Sequence, residues 1–190
     1  MLQPLAERMR PRKLDQYVGQ SHLIGPRGAL RKAIDSGNIP SMILWGPPGV
    51  GKTTLVNLMA SQHQRPFYQL SAISSGVKDI RETIEKAKHH NLFQQVSPIL
   101  FIDEIHRFNK SQQDSLLAAV EQGVVTLVGA TTENPSFEVI GPLLSRCQVY
   151  VLKSLENEDQ KKILDNVLES DSELKKYKID LRETEALFRT

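Results

Sequence analysis

Apolar residues along the chain alternate between short, nearly unbroken runs and stretches where they recur every third or fourth position. That pattern predicts strands interleaved with helices. The runs Met42-Ile43-Leu44-Trp45, Ile99-Leu100-Phe101-Ile102 and Val124 to Gly129 suit strands buried on both faces of a parallel sheet. Pro66 to Ser71 and Gln148 to Leu152 are more mixed and complete the expected strands. Helical spacing follows in Leu55, Val56, Leu58 and Met59, and again in Ile80, Ile84 and Ala87 between residues 78 and 90. Leu116, Leu117 and Val120 mark a helix over 109–122 that Gly123 stops. Val139, Leu143 and Leu144 predict one more, running from Ser136 to Ser145-Arg146-Cys147.

The two ends read differently. Residues 1–40 are punctuated by proline and glycine around one short amphipathic helix (Leu30, Ala33, Ile34) that ends near Gly37. Beyond Leu152 the chain becomes charged and helical, with Ile163, Leu164, Val167 and Leu168 in one stripe. Leu174, Ile179, Leu181, Leu187 and Phe188 predict a further packed segment. This tail is too short for a core of its own. A nucleotide-binding domain over 1–153 and the start of a helical domain over 154–190 are therefore expected.

The strand at Met42 leads into Gly46-Pro47-Pro48-Gly49-Val50-Gly51-Lys52-Thr53, which has the G-x-x-x-x-G-K-[ST] spacing of a phosphate-cradling loop. Backbone N–H groups converging at a helix N-terminus bind polyphosphate. Pro47 and Pro48 lack that group, so the donors run from Gly49 through Val50, Gly51, Lys52 and Thr53 to Thr54. Lys52 is placed to reach the β- and γ-phosphates, and the Thr53 hydroxyl to ligate Mg²⁺. The alternative, a glycine turn between strand and helix, leaves the lysine and hydroxyl without a purpose.

The strand at Ile99 ends in Asp103-Glu104. Doubly wound sheets bind ligands at the carboxyl ends of their strands. Asp103 there can hold Mg²⁺, directly or through water, while Glu104 accepts a proton from an attacking water. The strand at Val124 exits into Ala130-Thr131-Thr132-Glu133-Asn134, a polar end that could sense a γ-phosphate or be an ordinary strand-to-loop exit. His106, following the two acids, invites a catalytic reading, but a packing or signalling residue on the loop is the favoured one. Arg107 and Lys110 fit either a DNA contact or a solvated loop, and Arg8, Arg10, Arg12 and Lys13 a solvated edge or salt-bridge partners.

Composition adds exclusions. The chain of 190 residues carries 24 basic and 22 acidic side chains for a net +2, too mild to argue for nucleic acid by itself. Its one cysteine, Cys147, rules out an intramolecular disulfide and any cysteine-rich zinc site. With no signal-like start and no apolar run of spanning length, an intracellular setting away from membranes is expected.

Together these stretches resemble the AAA+ ATPases of the clamp-loader-like branch, and more closely still the replication-associated recombination protein A family, whose eukaryotic relative is the Werner-helicase-interacting ATPase. The resemblance is carried by Arg10-Pro11 with Tyr17-Val18-Gly19-Gln20, by Trp45 to Thr53, and by the run Leu100 to Lys110. Gly129-Ala130-Thr131-Thr132-Glu133-Asn134-Pro135-Ser136-Phe137 and Leu144-Ser145-Arg146-Cys147 complete it. It implies a P-loop α/β fold of three layers, αβα, around a parallel sheet, followed by the start of a helical lid. It implies ATP and Mg²⁺ as ligands, with Arg10, Pro11, Tyr17 and Val18 lining the adenine side. Thr132 matches the sensor-one position, with Asn134 as second choice, and Arg146 an arginine finger acting in trans on a neighbouring subunit's nucleotide.

The same resemblance implies a DNA-dependent ATPase of replication-fork maintenance, recombination and repair. Single-stranded DNA, ends or forks, a homo-oligomer and single-strand-binding protein are the implied partners, in a bacterial cytoplasm at the nucleoid. The family's sensor-two arginine and oligomerising domain lie outside this stretch, so weak or no hydrolysis is expected of it alone. A clamp-loader subunit or Holliday-junction branch-migration motor is the nearer alternative, against which Thr132 to Phe137 argues. A small P-loop kinase would want an acceptor pocket rather than adjacent acids. A GTPase would want Asn-Lys-x-Asp, which Asn109-Lys110-Ser111-Gln112 fails at its last position.

Overall fold

A computed structural model describes residues 3–91 and 96–179. It divides into two compact units, residues 21–154 and a smaller one built from 1–20 with 155–190. Among the described residues no helix is long and apolar enough to cross a membrane.

The larger unit is built on five parallel strands: β1 (Met42–Trp45), β2 (Phe67–Ser71), β3 (Ile99–Asp103), β4 (Thr126–Thr131) and β5 (Gln148–Val151). Their order is β2-β3-β4-β1-β5. Its helices are α2 (Ser21–Ile24), α3 (Ala29–Ser36), α4 (Lys52–Gln62), α5 (Val77–Asn91), α6 (Lys110–Glu121), α7 (Pro135–Glu138) and α8 (Gly141–Leu144). Side chains alternate across a strand, so each apolar run feeds two cores. Ile43, Leu100, Ile102 and Leu127 cluster with Ile80, Ile84, Leu116 and Leu143 from α5, α6 and α8. Met42, Leu44, Ile99, Phe101 and Val128 face the other way and are fully buried, on the side where α4 packs against β3 and β4. This is the expected αβα layering.

Two sequence readings need correction. The strand expected over 124–129 lies two residues later, at Thr126–Thr131. Gly123 turns the chain at φ +67°, and the Val124 and Val125 amides are spent on the Ala119 carbonyl. Pairing starts only where the Thr126 amide meets the Pro98 carbonyl at 2.8 Å. Next, the helix expected from Ser136 to Ser145-Arg146-Cys147 is two single turns, α7 and α8. Val139 and Ile140 are extended between them, because Pro142 supplies no amide to carry a helix through and fits only a first turn. Of the packed segment expected from Leu174 onward, Leu181, Leu187 and Phe188 lie outside the described residues, while Leu174 is half-buried and Ile179 exposed.

One polar residue holds the broken segment. Gln113, on α6 and only 2% exposed, donates to the carbonyls of Phe108 (3.0 Å) and Glu138 (2.9 Å) and accepts from the Ile140 amide (2.9 Å). A Gln113→Leu variant keeps the volume but orphans three backbone groups. Because each orphan costs about 1–3 kcal/mol where water cannot reach it, denaturant unfolding should show a loss of at least ~2 kcal/mol. A change within ~0.5 kcal/mol, the usual range for a surface position, would mean the segment is anchored otherwise.

The smaller unit holds α1 (Leu5–Arg8), α9 (Asn157–Ser170) and two single-turn 3₁₀ helices, Leu14–Gln16 and Leu174–Lys176. Arg8 grips Asp171 through two parallel bonds of 2.8 and 2.9 Å. The same carboxylate accepts from the amides of Glu173 and Leu174. With the Arg8 bond as the main cause, the Asp171 carboxyl is held down to about 2. The expected stripe on α9 is only half covered: Leu164, Val167 and Leu168 are partly buried and Ile163 is exposed.

Candidate nucleotide-binding site

The carboxyl ends of β1, β3 and β4 meet along one edge of the sheet. Trp45 pairs with Thr131, and Ile102 with Gly129, so the exits at Gly46, Asp103 and Thr131 are brought side by side. The Gly46 amide donates to the Thr131 carbonyl at 3.1 Å. A Cβ at Gly46 would sit 2.4 Å from the Leu152 carbonyl oxygen, so only glycine passes between β4 and the end of β5. Pro48 and Gly49 are exposed at the loop tip, and Val50 is buried beneath it. Gly51 turns left-handed at φ +93° and opens α4, whose first residue is Lys52.

Lys52 arches back over this loop. Its ammonium donates to the carbonyls of Gly46 (2.7 Å) and Pro47 (2.8 Å), and the side chain is largely buried. Burial lowers its pKa, while the fields of Glu104 and Asp103 raise it again. Lys52 and both acids therefore share one electrostatic environment. Thr53 and Thr54 follow on the first turn of α4, half-buried.

Asp103 closes β3, and there the strand stops. Glu104 is left-handed at φ 56°, ψ 45°, a conformation unusual for a side-chain-bearing residue. Such a residue costs of order 1–3 kcal/mol and persists where its surroundings over-determine it. Here a single 3₁₀ turn, Ile105–Arg107, does so: the Arg107 amide bonds the Glu104 carbonyl at 2.8 Å, and Ile105 and Phe108 are buried on either side. His106, between them, reaches two partners. Its Nε2 lies 3.3 Å from Glu104 Oε2 and its Nδ1 lies 3.0 Å from Thr131 Oγ1.

Thr131 is fully buried, and its hydroxyl also engages the Glu133 amide and carbonyl. Thr132 is half-buried just past the strand. The Asn134 side chain caps α7 by accepting from the Ser136 amide at 3.0 Å. The sequence reading missed Thr131 and the link through His106, since a histidine and a threonine 25 positions apart leave no spacing signal.

Arg146 lies elsewhere on the same unit. It is exposed, ion-paired with Glu121 of α6, and its guanidinium donates to the Pro142 carbonyl (2.7 Å) and Ser145 Oγ (3.0 Å). Arg10, Pro11, Tyr17 and Val18 belong to the smaller unit. Arg10 pairs with Glu7 at 3.0 Å, and burial holds the Tyr17 phenol well above its usual pKa. Cys147 is partly buried, and its thiol is raised to about 11 for the same reason.

Residues 42–155 match the ATPase family associated with various cellular activities (AAA). The chain belongs to this family. The chain is 54% identical over 166 residues to the replication-associated recombination protein A of Haemophilus influenzae, and 53% identical over 167 residues to that of Escherichia coli K12. It is 49% identical over 166 residues to the ATPase WRNIP1 of Dictyostelium discoideum. These alignments take in 87–88% of the chain but only 37% of the two bacterial relatives and 19% of the third. Among solved structures, the RuvB Holliday junction branch migration motor of Thermotoga maritima superimposes with a TM-score of 0.70 at 31% identity, over 85% of this chain and 54% of that one.

The donor set of the AAA domain suits Mg²⁺. Asp103 and Thr53 offer hard oxygen ligands, and among the described residues no group of three or more His, Cys, Asp or Glu could cage a metal. Mg²⁺ is ordinarily held in this manner, by one or two protein oxygens, water and substrate phosphates.

Proposed function

We propose that this chain is the ATP-binding and hydrolysing part of a DNA-associated ATPase acting in replication-fork maintenance, recombination and repair. One observation carries the chemistry: a glycine-lined phosphate loop, the buried Lys52 ammonium, and the Asp103 and Glu104 carboxylates meet at the carboxyl ends of a parallel sheet. The amides from Gly49 to Thr54 bind the phosphates, and Lys52 exchanges its loop carbonyls for phosphate oxygens. Thr53 and Asp103 would hold Mg²⁺, which when bound would supply charge neutralisation at the phosphates. Glu104 takes a proton from the attacking water. Thr132 reports on the γ-phosphate, with Asn134 a weaker choice because its side chain already caps α7. Arg146 completes the site of a neighbouring copy.

The division into a nucleotide-binding domain ending at residue 153 and a lid beginning at 154 belongs to the same reading. So do the homo-oligomer, the DNA partner, a single-strand-binding protein partner and a nucleoid location in the cytoplasm. The DNA role is supported by the relatives whose names speak of replication-associated recombination. A branch-migration motor is the second reading, favoured by the superposition on RuvB. The higher identity to the recombination proteins ranks it below the first.

Calorimetric titration of this chain with ATP and GTP, beside Lys52→Ala, is the direct test. ATP should bind in preference to GTP, and Lys52→Ala should weaken it by about 10- to 100-fold, the worth of a charged hydrogen bond to phosphate. Preference for GTP, or unchanged affinity in Lys52→Ala, would overturn the reading.

A further inference from the structure

His106 stands between the acid assigned to water activation and the strand that ends beside the phosphate loop. We propose that His106 is a positioning residue for Glu104, fixing its carboxylate through a relay that runs from Thr131 to His106 to Glu104. The inference rests on the assignment of Glu104 above.

Three features carry it. First, the ring is bracketed by residues that cannot move independently: Ile105 is fully buried, Phe108 nearly so, and the turn between them is closed by backbone bonds. Second, both ring nitrogens are engaged, at 3.3 Å to Glu104 Oε2 and 3.0 Å to Thr131 Oγ1. A neutral ring satisfies both when Nδ1 accepts from the Thr131 hydroxyl and Nε2–H donates to the carboxylate. A histidine used in this way is set in tautomer and orientation by its second partner. Third, Thr131 is an immobile anchor. It is fully buried, and its carbonyl accepts from the Gly46 amide at the start of the phosphate loop. The relay therefore ties the position of Glu104 to the strand that also holds the loop.

The Thr131 hydroxyl has a competing acceptor. Its proton goes either to His106 Nδ1 or to the Glu133 carbonyl, 3.2 Å away. Thr132, the residue assigned to γ-phosphate sensing, lies between Thr131 and Glu133 in the chain. A shift of this strand end alters which acceptor Thr131 serves, and with it the hold on Glu104.

Steady-state and single-turnover ATP hydrolysis by the complete protein test the proposal, with ATP affinity measured alongside. His106→Ala should lower kcat by about 10- to 100-fold, as loss of alignment at a reacting group does, with ATP affinity within about twofold of the parent. His106→Gln, which restores a donor near the Nε2 position, should recover part of that loss. Thr131→Val preserves shape in the buried site and should lower kcat in the same direction, again without weakening ATP binding. On a Glu104→Gln background, His106→Ala should add little to the residual rate, because the two residues act as a unit.

Unchanged kcat in His106→Ala overturns the relay, as does an equal fold-loss on the Glu104 and Glu104→Gln backgrounds. Normal turnover in Glu104→Gln itself would instead remove the assignment on which the relay rests.

Discussion

Glu104→Gln in the complete protein is expected to lower ATP turnover by about 10²- to 10⁴-fold, the usual share of general-base catalysis, while ATP binding persists. The amide keeps the size and most of the hydrogen bonding of the acid but cannot accept the proton of an attacking water. Binding should survive because phosphate recognition is carried by the loop amides and Lys52, which remain in place in the variant. Lys52 would lose one of the two carboxylate fields that raise its pKa, with Asp103 remaining. The amide at 104 can still accept a hydrogen bond from His106, so the turn around Ile105 should hold and the melting temperature stay close to the parent's. A rapid-quench assay with radiolabelled ATP separates the two effects. Turnover within about twofold of the parent would exclude Glu104 as the base.

The second large effect is expected at Arg146. In the single chain this side chain is laid against its own surface by Glu121, the Pro142 carbonyl and Ser145. Exposed ion pairs contribute about 0–1 kcal/mol, so a neighbour's phosphate can outcompete them. Arginine fingers supplied between proteins are worth about 10³–10⁵ in rate in GTPases, equivalent to roughly 4–7 kcal/mol of barrier. Arg146→Ala should therefore bring hydrolysis by the assembled protein down by about 10³-fold with ATP affinity intact. Complementation distinguishes a finger acting in trans from one acting in cis. An Arg146→Ala subunit retains a usable phosphate loop, and a Lys52→Ala subunit retains a usable finger, so mixed assemblies should recover a fraction of the activity. Mixtures as inactive as either parent, or an Arg146→Ala oligomer with full turnover, would refute the trans assignment.

Much of this architecture is visible in one dimension because its determinants are local. A strand buried on both faces needs an unbroken apolar run, and Met42 to Trp45 and Ile99 to Ile102 supply it. The phosphate loop needs glycine where the chain turns left-handed or another backbone crowds it, and Gly51 and Gly46 stand there. Where the reading slipped, a nonlocal or stereochemical constraint overrode the pattern. Val125 is apolar and buried, yet its amide closes the end of α6 rather than entering the sheet. Val139, Leu143 and Leu144 have helical spacing, but with a proline two residues after extended Ile140 only Leu143 and Leu144 are helical, and Val139 lies in the extended link before them.

The sequence by itself determined that strands and helices alternate, that a phosphate loop joins the first strand to a helix, and that two acids end a buried strand. These follow from periodicity and residue chemistry within a few positions of one another. Only the tertiary structure decided the strand order β2-β3-β4-β1-β5, which places β4 between the strand of the loop and the strand of the acids. That order brings Thr131 to His106 and both acids into the field of Lys52. It also lays Arg146 against Glu121, far along the chain. Pairings of this kind arise from how parallel strands cross over and stack, and no short-range pattern records which distant ends will meet.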